Sequence, residues 1–496
     1  MIMSVKNFSS LYQAIILPKT NITDSSLESQ IILEDKSNTE KSGLKKIKKN
    51  RNYYTSYPKM VALSFFAIII IGTILLMLPV SIKEGSVSFL DALFTATSAT
   101  CVTGLVVFDT FTKWTLFGQI VILCMIQIGG LGFITIITML SRFLKKKVSL
   151  REKLMLKESF GSIPTGDSKK IVRVVLGGTV IFEVLGAAIL CTQFIPDMGL
   201  KNGLYTSVFL SVSSFCNAGF DVLGRIQPGS SLITVNTNPV ILLTIAMLII
   251  VGGIGFIVWD DIVQRKFRIK RYSLHTKLTL ITTAVLLVGG TILYYIFEHN
   301  NTFSDFSEGQ KVLNAFFAST TPRTAGFNSV PNAELSAPSK LITYILMLIG
   351  GSTGSTAGGI KTATIAVLFL CAAATLRNSR EIEIFGKRIT VDVIRKAVSI
   401  VIINLTEVFI ASTIITICQP ELLYSDILFE CISAIGTVGM STGITSSLEL
   451  LPKIIITLMM FVGRITSLVF AFMFILETNK NGSRSSQKPK GNLFIG

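Results

Sequence analysis

Four times along this chain a long apolar run is followed by a segment of eleven to thirteen residues, a polar turn that holds a glycine, and a second apolar run. The turns read CVTGL (Cys101 to Leu105), CNAGF (Cys216 to Phe220), RTAGF (Arg323 to Phe327) and GTVGM (Gly436 to Met440). Aligned on their last glycine they bring Gly104, Gly219, Gly326 and Gly439 into register, 115, 107 and 113 residues apart. Each closing run carries a second landmark: Gly129-Gly130, Gly252-Gly253, Gly350-Gly351 and Gly463-Arg464, lying 25, 33, 24 and 24 residues beyond the aligned glycine. Self-similarity at a near-constant period marks repeated supersecondary units, so four copies of one unit are expected.

The apolar runs fix the medium. Of 496 residues, 50% are hydrophobic and only 15% charged, and the mean hydropathy is +0.63. Runs near Met60 to Leu78, Leu116 to Leu140, Val174 to Phe194, Pro239 to Trp259, Thr279 to Phe297, Lys340 to Leu376, Ala397 to Cys418 and Pro452 to Leu476 reach the about 20 residues that carry a helix across a bilayer. The short segments between them (Phe89 to Thr100, Gly203 to Phe215, Gln310 to Thr321, Ser425 to Ile435) are too short to cross and read as re-entrant. Irregular, glycine-rich chain at membrane depth is tolerated only where protein buries it or where it lines a water-filled cavity.

A net charge of +17 could indicate a nucleic-acid partner, but the basic residues cluster between apolar runs: seven from Lys41 to Lys59, ten from Arg142 to Arg173, six from Arg265 to Lys277, six from Arg377 to Lys396 and four from Lys480 to Lys490. Positive-inside bias places these connections, and both termini, in the cytoplasm; no nucleic-acid partner is expected. Every unit then begins and ends on the same side, and the copies are parallel. The expected fold is an all-α integral membrane protein of four tandem M1–pore loop–M2 repeats, with eight transmembrane helices and four re-entrant pore loops around one pore in pseudo-four-fold symmetry. Its parts are a polar, basic tail (1–57), repeat 1 (58–145), repeat 2 (170–265), repeat 3 (277–377, with an intramembrane loop at 350–362), repeat 4 (395–477) and a second tail (478–496).

Seven cysteines without a C-x-x-C pair, and two histidines, indicate neither a disulfide framework nor a zinc site. No nucleophile and base stand at compelling spacing, which disfavours a membrane-embedded enzyme. A secondary transporter with inverted repeats is the alternative reading, but it requires neighbouring repeats of opposite orientation.

Taking water from a cation requires substitute oxygens, which backbone carbonyls turned toward an axis supply. Glycine permits such backbone because it has no Cβ. The four-fold arrangement, the turns CVTGL, CNAGF, RTAGF and GTVGM, and the later GGSTGSTAGGIKT together resemble the Ktr/Trk/HKT superfamily of potassium transporters, with the bacterial KtrB-type translocating subunit as the nearest branch. The resemblance runs from about Pro58 to Leu476. It implies that Gly104, Gly219, Gly326 and Gly439 belong to a selectivity filter, with carbonyls from Val102, Thr103, Asn217, Ala218, Thr324, Ala325, Thr437 and Val438. None of the loops completes TVGYG, so fewer defined ion sites than in a channel are expected. Sodium-favouring members often carry Ser in the first loop; the four glycines here point to K+.

The resemblance also implies that Gly350, Gly351, Ser352, Thr353, Gly354, Ser355, Thr356, Ala357, Gly358 and Gly359, with Lys361, form an intramembrane loop that obstructs the pore and moves to gate it. Independently, such a density of glycine weakens a helix by about 1 kcal/mol each and should break the third closing run. A phosphate-binding loop needs G-x-x-x-x-G-K-[ST], and Ile360 separates Gly359 from Lys361. Arg464 matches the family arginine that faces the pore as an electrostatic barrier. Lys361 reads either as pore-lining or as snorkelling to the interface. Glu183 and Glu407 read as buried partners, Arg323 as directed away from the filter, and Asp91, Asp221 and Asp426 either as an outer-vestibule field or as solvated surface acids. The resemblance further implies a multi-pass bacterial plasma-membrane protein that moves K+ inward, with Na+ as activator or coupled ion and no organic cofactor in this chain. Its partners would be a second copy, in a homodimer, membrane lipid, and a cytosolic nucleotide-binding ring of RCK type.

Overall fold

The computed structural model describes residues 62–132, 168–266, 268–379 and 381–465, the side chains of 168–173 excepted. The chain divides into two units, Met1–Tyr57 and Pro58–Gly496, and all described residues belong to the second. The parts of the expected first and last spans and tails beyond these limits, and the end of the second span after Gly132, lie outside the described residues.

The first helix, α1 (Ala62–Met77), stops where Pro79 opens a short turn. Next comes α2 (Phe89–Cys101), capped by Ser88, whose hydroxyl accepts the Asp91 N–H at 3.1 Å; it is followed by α3 (Leu116–Leu131). Helix α4 (Ser168–Cys216) is broken at Gly199, φ 77°, just after Pro196, so that a long arm is followed by a short helix, as the sequence predicts. Next, α5 (Pro239–Ile254) turns by 89° at Gly255 into α6 (Phe256–Arg265). Then follow α7 (Leu274–Glu298), α8 (Glu308–Thr320) with a Ser307/Gln310 capping box, α9 (Ala337–Leu348) and α10 (Thr362–Leu376). A two-stranded hairpin, β1 (Glu383–Ile384) and β2 (Lys387–Arg388), precedes α11 (Val391–Cys418), α12 (Tyr424–Gly436) and α13 (Leu450–Ile465).

This is a mostly helical, multi-pass membrane architecture. Among the described residues, three helices are long and apolar enough to cross a bilayer, and the bent α5–α6 pair makes a fourth; α1, α3, α9 and α10 are shorter apolar helices. Residues that a soluble protein would bury face outward, including Val180, Val184, Val288, Phe409 and Ile417, whereas Ser98, Ser213, Thr324, Ser433 and Thr437 are fully buried. Lipid accommodates the former. The latter hydroxyls stand at the ends of the short helices, where backbone ends need partners.

The second landmark has a packing reason. A Cβ on Gly129, Gly252 or Gly463 would strike the carbonyl of Thr100, Phe215 or Ile435 respectively, and each of these residues lies four before its aligned glycine. The closing helix therefore passes against the C-terminal end of the short helix of its own unit, at a separation only glycine allows. In the third unit the corresponding Gly350 faces Gly358 instead, because the chain there is broken between α9 and α10. The break predicted from the glycine density is present; the right-angle turn at Gly255 was not anticipated in the continuous run Pro239 to Trp259.

Candidate functional site

Each short helix ends in the same chain reversal. Val102, Asn217, Thr324 and Thr437, two positions before the aligned glycines, are all left-handed, with φ of 57°, 60°, 72° and 50°. Gly104, Gly219, Gly326 and Gly439 follow with φ of 100°, 70°, 80° and 90°. In units one, two and four the reversal is a Schellman closure: Thr103, Ala218 and Val438 donate their N–H to the carbonyls of Ser98, Ser213 and Ser433, each at 2.8 Å. Unit three departs because Pro322 has no N–H to continue α8. Its chain makes one further turn, with the Ala325 N–H bonded to the Thr321 carbonyl at 2.9 Å and the Thr321 hydroxyl to the Phe327 carbonyl at 2.6 Å.

The four loops abut in a closed order. A Cβ on Gly104 would lie 2.5 Å from the Ala218 carbonyl oxygen, one on Gly219 2.7 Å from that of Ala325, one on Gly326 2.6 Å from that of Val438, and one on Gly439 would strike that of Thr103. First meets second, second meets third, third meets fourth, and fourth returns to first. Eight of the twelve positions that the sequence singled out, Thr103, Gly104, Ala218, Gly219, Ala325, Gly326, Val438 and Gly439, are thereby brought into one ring.

A signal that the sequence reading overlooked lies six residues before each glycine, where Ser98, Ser213, Thr320 and Ser433 all carry a hydroxyl. Ser98 accepts the Gly104 N–H and Ser433 the Gly439 N–H, each at 3.0 Å. These bonds turn the two N–H groups toward the short helix of their own unit.

Above the ring a mouth of about 400 Å³ is bordered by the four glycines, Asp109, Asp221, Asn328 and Ser441. Asp109 caps a short turn through the Thr112 N–H at 2.8 Å and also accepts the Gly229 N–H at 3.1 Å. Asp221 accepts the Leu223 N–H at 2.9 Å. Burial pushes its carboxyl up to about 7, with Asp109 adding in the same direction against the Leu223 bond. Asp91 is not at the mouth: its carboxylate pairs with Lys453 at 2.8 Å. Nor does Asp426 border it; it lies in the first turn of α12.

Below the ring lies the loop Gly350 to Lys361. Its ends are tied together by the Gly350 N–H to the Ile360 carbonyl, 2.9 Å, and the Thr362 N–H to the Gly351 carbonyl, 3.1 Å. Its body docks on the α5–α6 corner: the Ser352 N–H donates to the Gly253 carbonyl and the Phe256 N–H to the Gly354 carbonyl, at 2.9 and 2.8 Å. Its top reaches the ring, with the Thr356 hydroxyl 3.2 Å from the Phe215 carbonyl and Gly358 packed on the Thr437 hydroxyl. The Arg464 guanidinium spans two units, donating to the Thr356 carbonyl at 2.6 Å and to the Gly129 carbonyl. The Lys361 ammonium folds back on the carbonyls of Ala357 (2.8 Å) and Gly358 (3.2 Å). Ser355 closes the loop on itself through the Ser352 carbonyl, and Thr353 offers only its carbonyl, toward Gly255.

Glu183 is half-buried and accepts from the Gln127 amide at 3.0 Å. Arg323 turns away from the ring, its guanidinium 3.3 Å from the Thr283 hydroxyl. Both match the sequence expectation.

Comparison with known proteins bears on this geometry. The TrkH family, described as cation transport protein, matches residues 37–484. The chain belongs to the TrkH cation transport family. It is 38% identical over 441 residues to the Ktr system potassium uptake protein B of Bacillus subtilis, covering 88% of this chain and 96% of that one. It is 37% identical over 443 residues to the potassium/sodium uptake protein NtpJ of Enterococcus hirae, covering 88% and 97%. In fold it resembles the crystal structure of the potassium transporter TrkH from Vibrio parahaemolyticus, with a TM-score of 0.66, 15% identity and 84% of each chain covered. The TrkH family comprises transporters, not enzymes, and the chain is accordingly an integral membrane transporter.

Proposed function

We propose that this chain is the potassium-translocating subunit of a Ktr-type uptake system, and that its four repeats, eight crossings and four re-entrant loops surround one pore. The carrying observation is the closed ring, in which each aligned glycine meets the carbonyl before the next. Alternating left-handed residues in each loop turn successive carbonyls to one side. A cation on the axis can then exchange water for backbone oxygens without a fixed charge. Thr437 adds a side-chain hydroxyl at the lower edge of the fourth loop. The C-terminal ends of the four short helices converge there and favour positive charge.

In this reading the loop Gly350 to Lys361 is the gate. It lies under the ring, with the fixed charge of Arg464 against it, so a cation leaving the ring meets both a plug and a repulsive field. Opening requires the loop to leave the Gly252-Gly253 and Gly255 corner and to release the guanidinium. The names of the relatives, potassium uptake and potassium/sodium uptake, support K+ as the cargo and Na+ as a second ion. Ktr kinship supports a homodimer seated on a cytosolic nucleotide-binding ring, with both termini cytoplasmic in the plasma membrane.

The test is potassium-limited growth and 86Rb+ uptake of an uptake-deficient cell, with and without a coexpressed regulatory ring. Growth rescue with selective uptake is expected; rescue by an unrelated solute, with no K+ uptake, contradicts the proposal.

A further inference from the structure

One buried carboxyl group has no part in the mechanism above. Glu430 lies on the inner face of α12, 1% exposed, nine residues before Gly439. The corresponding positions of the other units are Thr95, Leu210 and Phe317, so the acid is peculiar to the fourth. It accepts the hydroxyl of Thr445, which itself lies 3.0 Å from the hydroxyl of Ser441. Ser441 is two residues beyond Gly439, on the segment that leaves the ring toward the mouth. Glu430 therefore ties the descending side of the fourth loop, the short helix, to its ascending side.

The tie continues into the third unit. The Ser441 carbonyl accepts from the Asn332 amide at 2.9 Å, and that amide also donates to the side chain of Asn328, at 2.9 Å, two residues beyond Gly326. The outer segments of units three and four are thus stitched together, and Glu430 is the end of the chain of bonds that is rooted in a helix. A polar group this deeply buried without partners is costly. Replacing the carboxyl by an apolar group would take from the Thr445 hydroxyl its partner on the short helix and leave it bonded to Ser441 alone.

We infer that Glu430 is a positioning residue for ion selectivity: through Thr445 and Ser441 it holds Gly439 and its carbonyl neighbours at the spacing the ring requires. The inference rests on the filter reading above. It calls for an acceptor at this position, not for a charge, and so separates two substitutions. Glu430→Gln keeps an acceptor of the same shape and retains the potassium preference. Glu430→Leu removes it, as Thr445→Val does from the other side with little change in volume.

The experiment measures Rb+ and Na+ uptake by the full-length chain in uptake-deficient cells, alongside membrane abundance. Expected are a wild-type Rb+/Na+ ratio for Glu430→Gln and a ratio lowered by about tenfold, the size of one lost hydrogen bond to a buried acid, for Glu430→Leu and Thr445→Val at comparable abundance. A wild-type ratio in Thr445→Val or in abundant Glu430→Leu overturns the inference while leaving the filter reading intact, as does a Glu430→Gln ratio as low as that of Glu430→Leu. If the unaltered chain itself shows no preference, the filter reading fails and this inference with it.

Discussion

Substituting Gly439 by Ser tests the ring through its tightest contact. The new side chain is penalised in two ways. At φ 90° an L-residue is in a left-handed conformation, which costs about 1–2 kcal/mol. Its Cβ would also strike the Thr103 carbonyl and lie 2.8 Å from the Gly104 Cα. Both neighbours are backbone of the adjoining loop, so relief requires the first and fourth loops to part. Strain of about 1–3 kcal/mol in the geometry that separates K+ from Na+ corresponds to about 5- to 150-fold in their ratio. Gly443 supplies the control: its φ is 104° but nothing stands within 4 Å of its Cβ position. Gly443→Ala therefore carries the backbone strain without the collision. In Rb+ and Na+ uptake assays normalised to membrane abundance, Gly439→Ser is expected to lose selectivity at least about fivefold, and Gly443→Ala to lose abundance alone. Equal ratios in both variants and the unaltered chain would refute the reasoning, as would equal losses of selectivity.

Removing the guanidinium with Arg464→Gln frees the carbonyls of Thr356 and Gly129, and uptake in cells without the regulatory ring should rise by about tenfold; unchanged basal uptake contradicts a gate held there. Gly255→Ala places a methyl group 3.0 Å from the Thr353 carbonyl at φ 101°, so it loosens the docked loop, and basal uptake should again rise. The carboxyl of Asp221, pushed up to about 7 by burial and by Asp109, is charged above that pH and neutral below it. Uptake at low external K+ should therefore fall as external pH drops from 8 through 7 to 6, and Asp221→Asn should flatten the profile; an identical profile in the variant removes Asp221 from the mouth.

The repeat, the four glycines and the broken third closing run were legible because each leaves a periodic or compositional mark. A left-handed backbone pressed against the carbonyl of the adjoining loop in four equivalent places requires glycine four times, and a helix cannot run through Gly350 to Gly359. Other features leave no such mark. The corner at Gly255 arises from loop backbone bonding at Gly253 and Phe256, a contact across about 100 residues of chain that local pattern cannot reveal. Likewise, the chemistry of Lys361 suits both readings considered for it, and its bonds to Ala357 and Gly358 arise only from the fold of the loop. The chemistry of Asp91 suits a vestibule and a solvated surface equally, and its pairing with Lys453, more than 350 residues away, leaves no local mark. By contrast, the hydroxyls six residues before each glycine were visible in the sequence, and their role becomes apparent once the Gly104 and Gly439 N–H groups are seen to point at them.

The central claim is that the four loops bind the transported ion on their common axis. Rubidium, which scatters anomalously and substitutes for potassium, tests it directly when diffracted from crystals of the full-length protein grown in its chloride salt. The account predicts anomalous density on the axis, within reach of carbonyls from all four loops between Val102 and Gly104 and their counterparts, and its loss in Gly439→Ser. Rubidium bound elsewhere in the membrane region, with the ring empty at concentrations that saturate uptake, would contradict it.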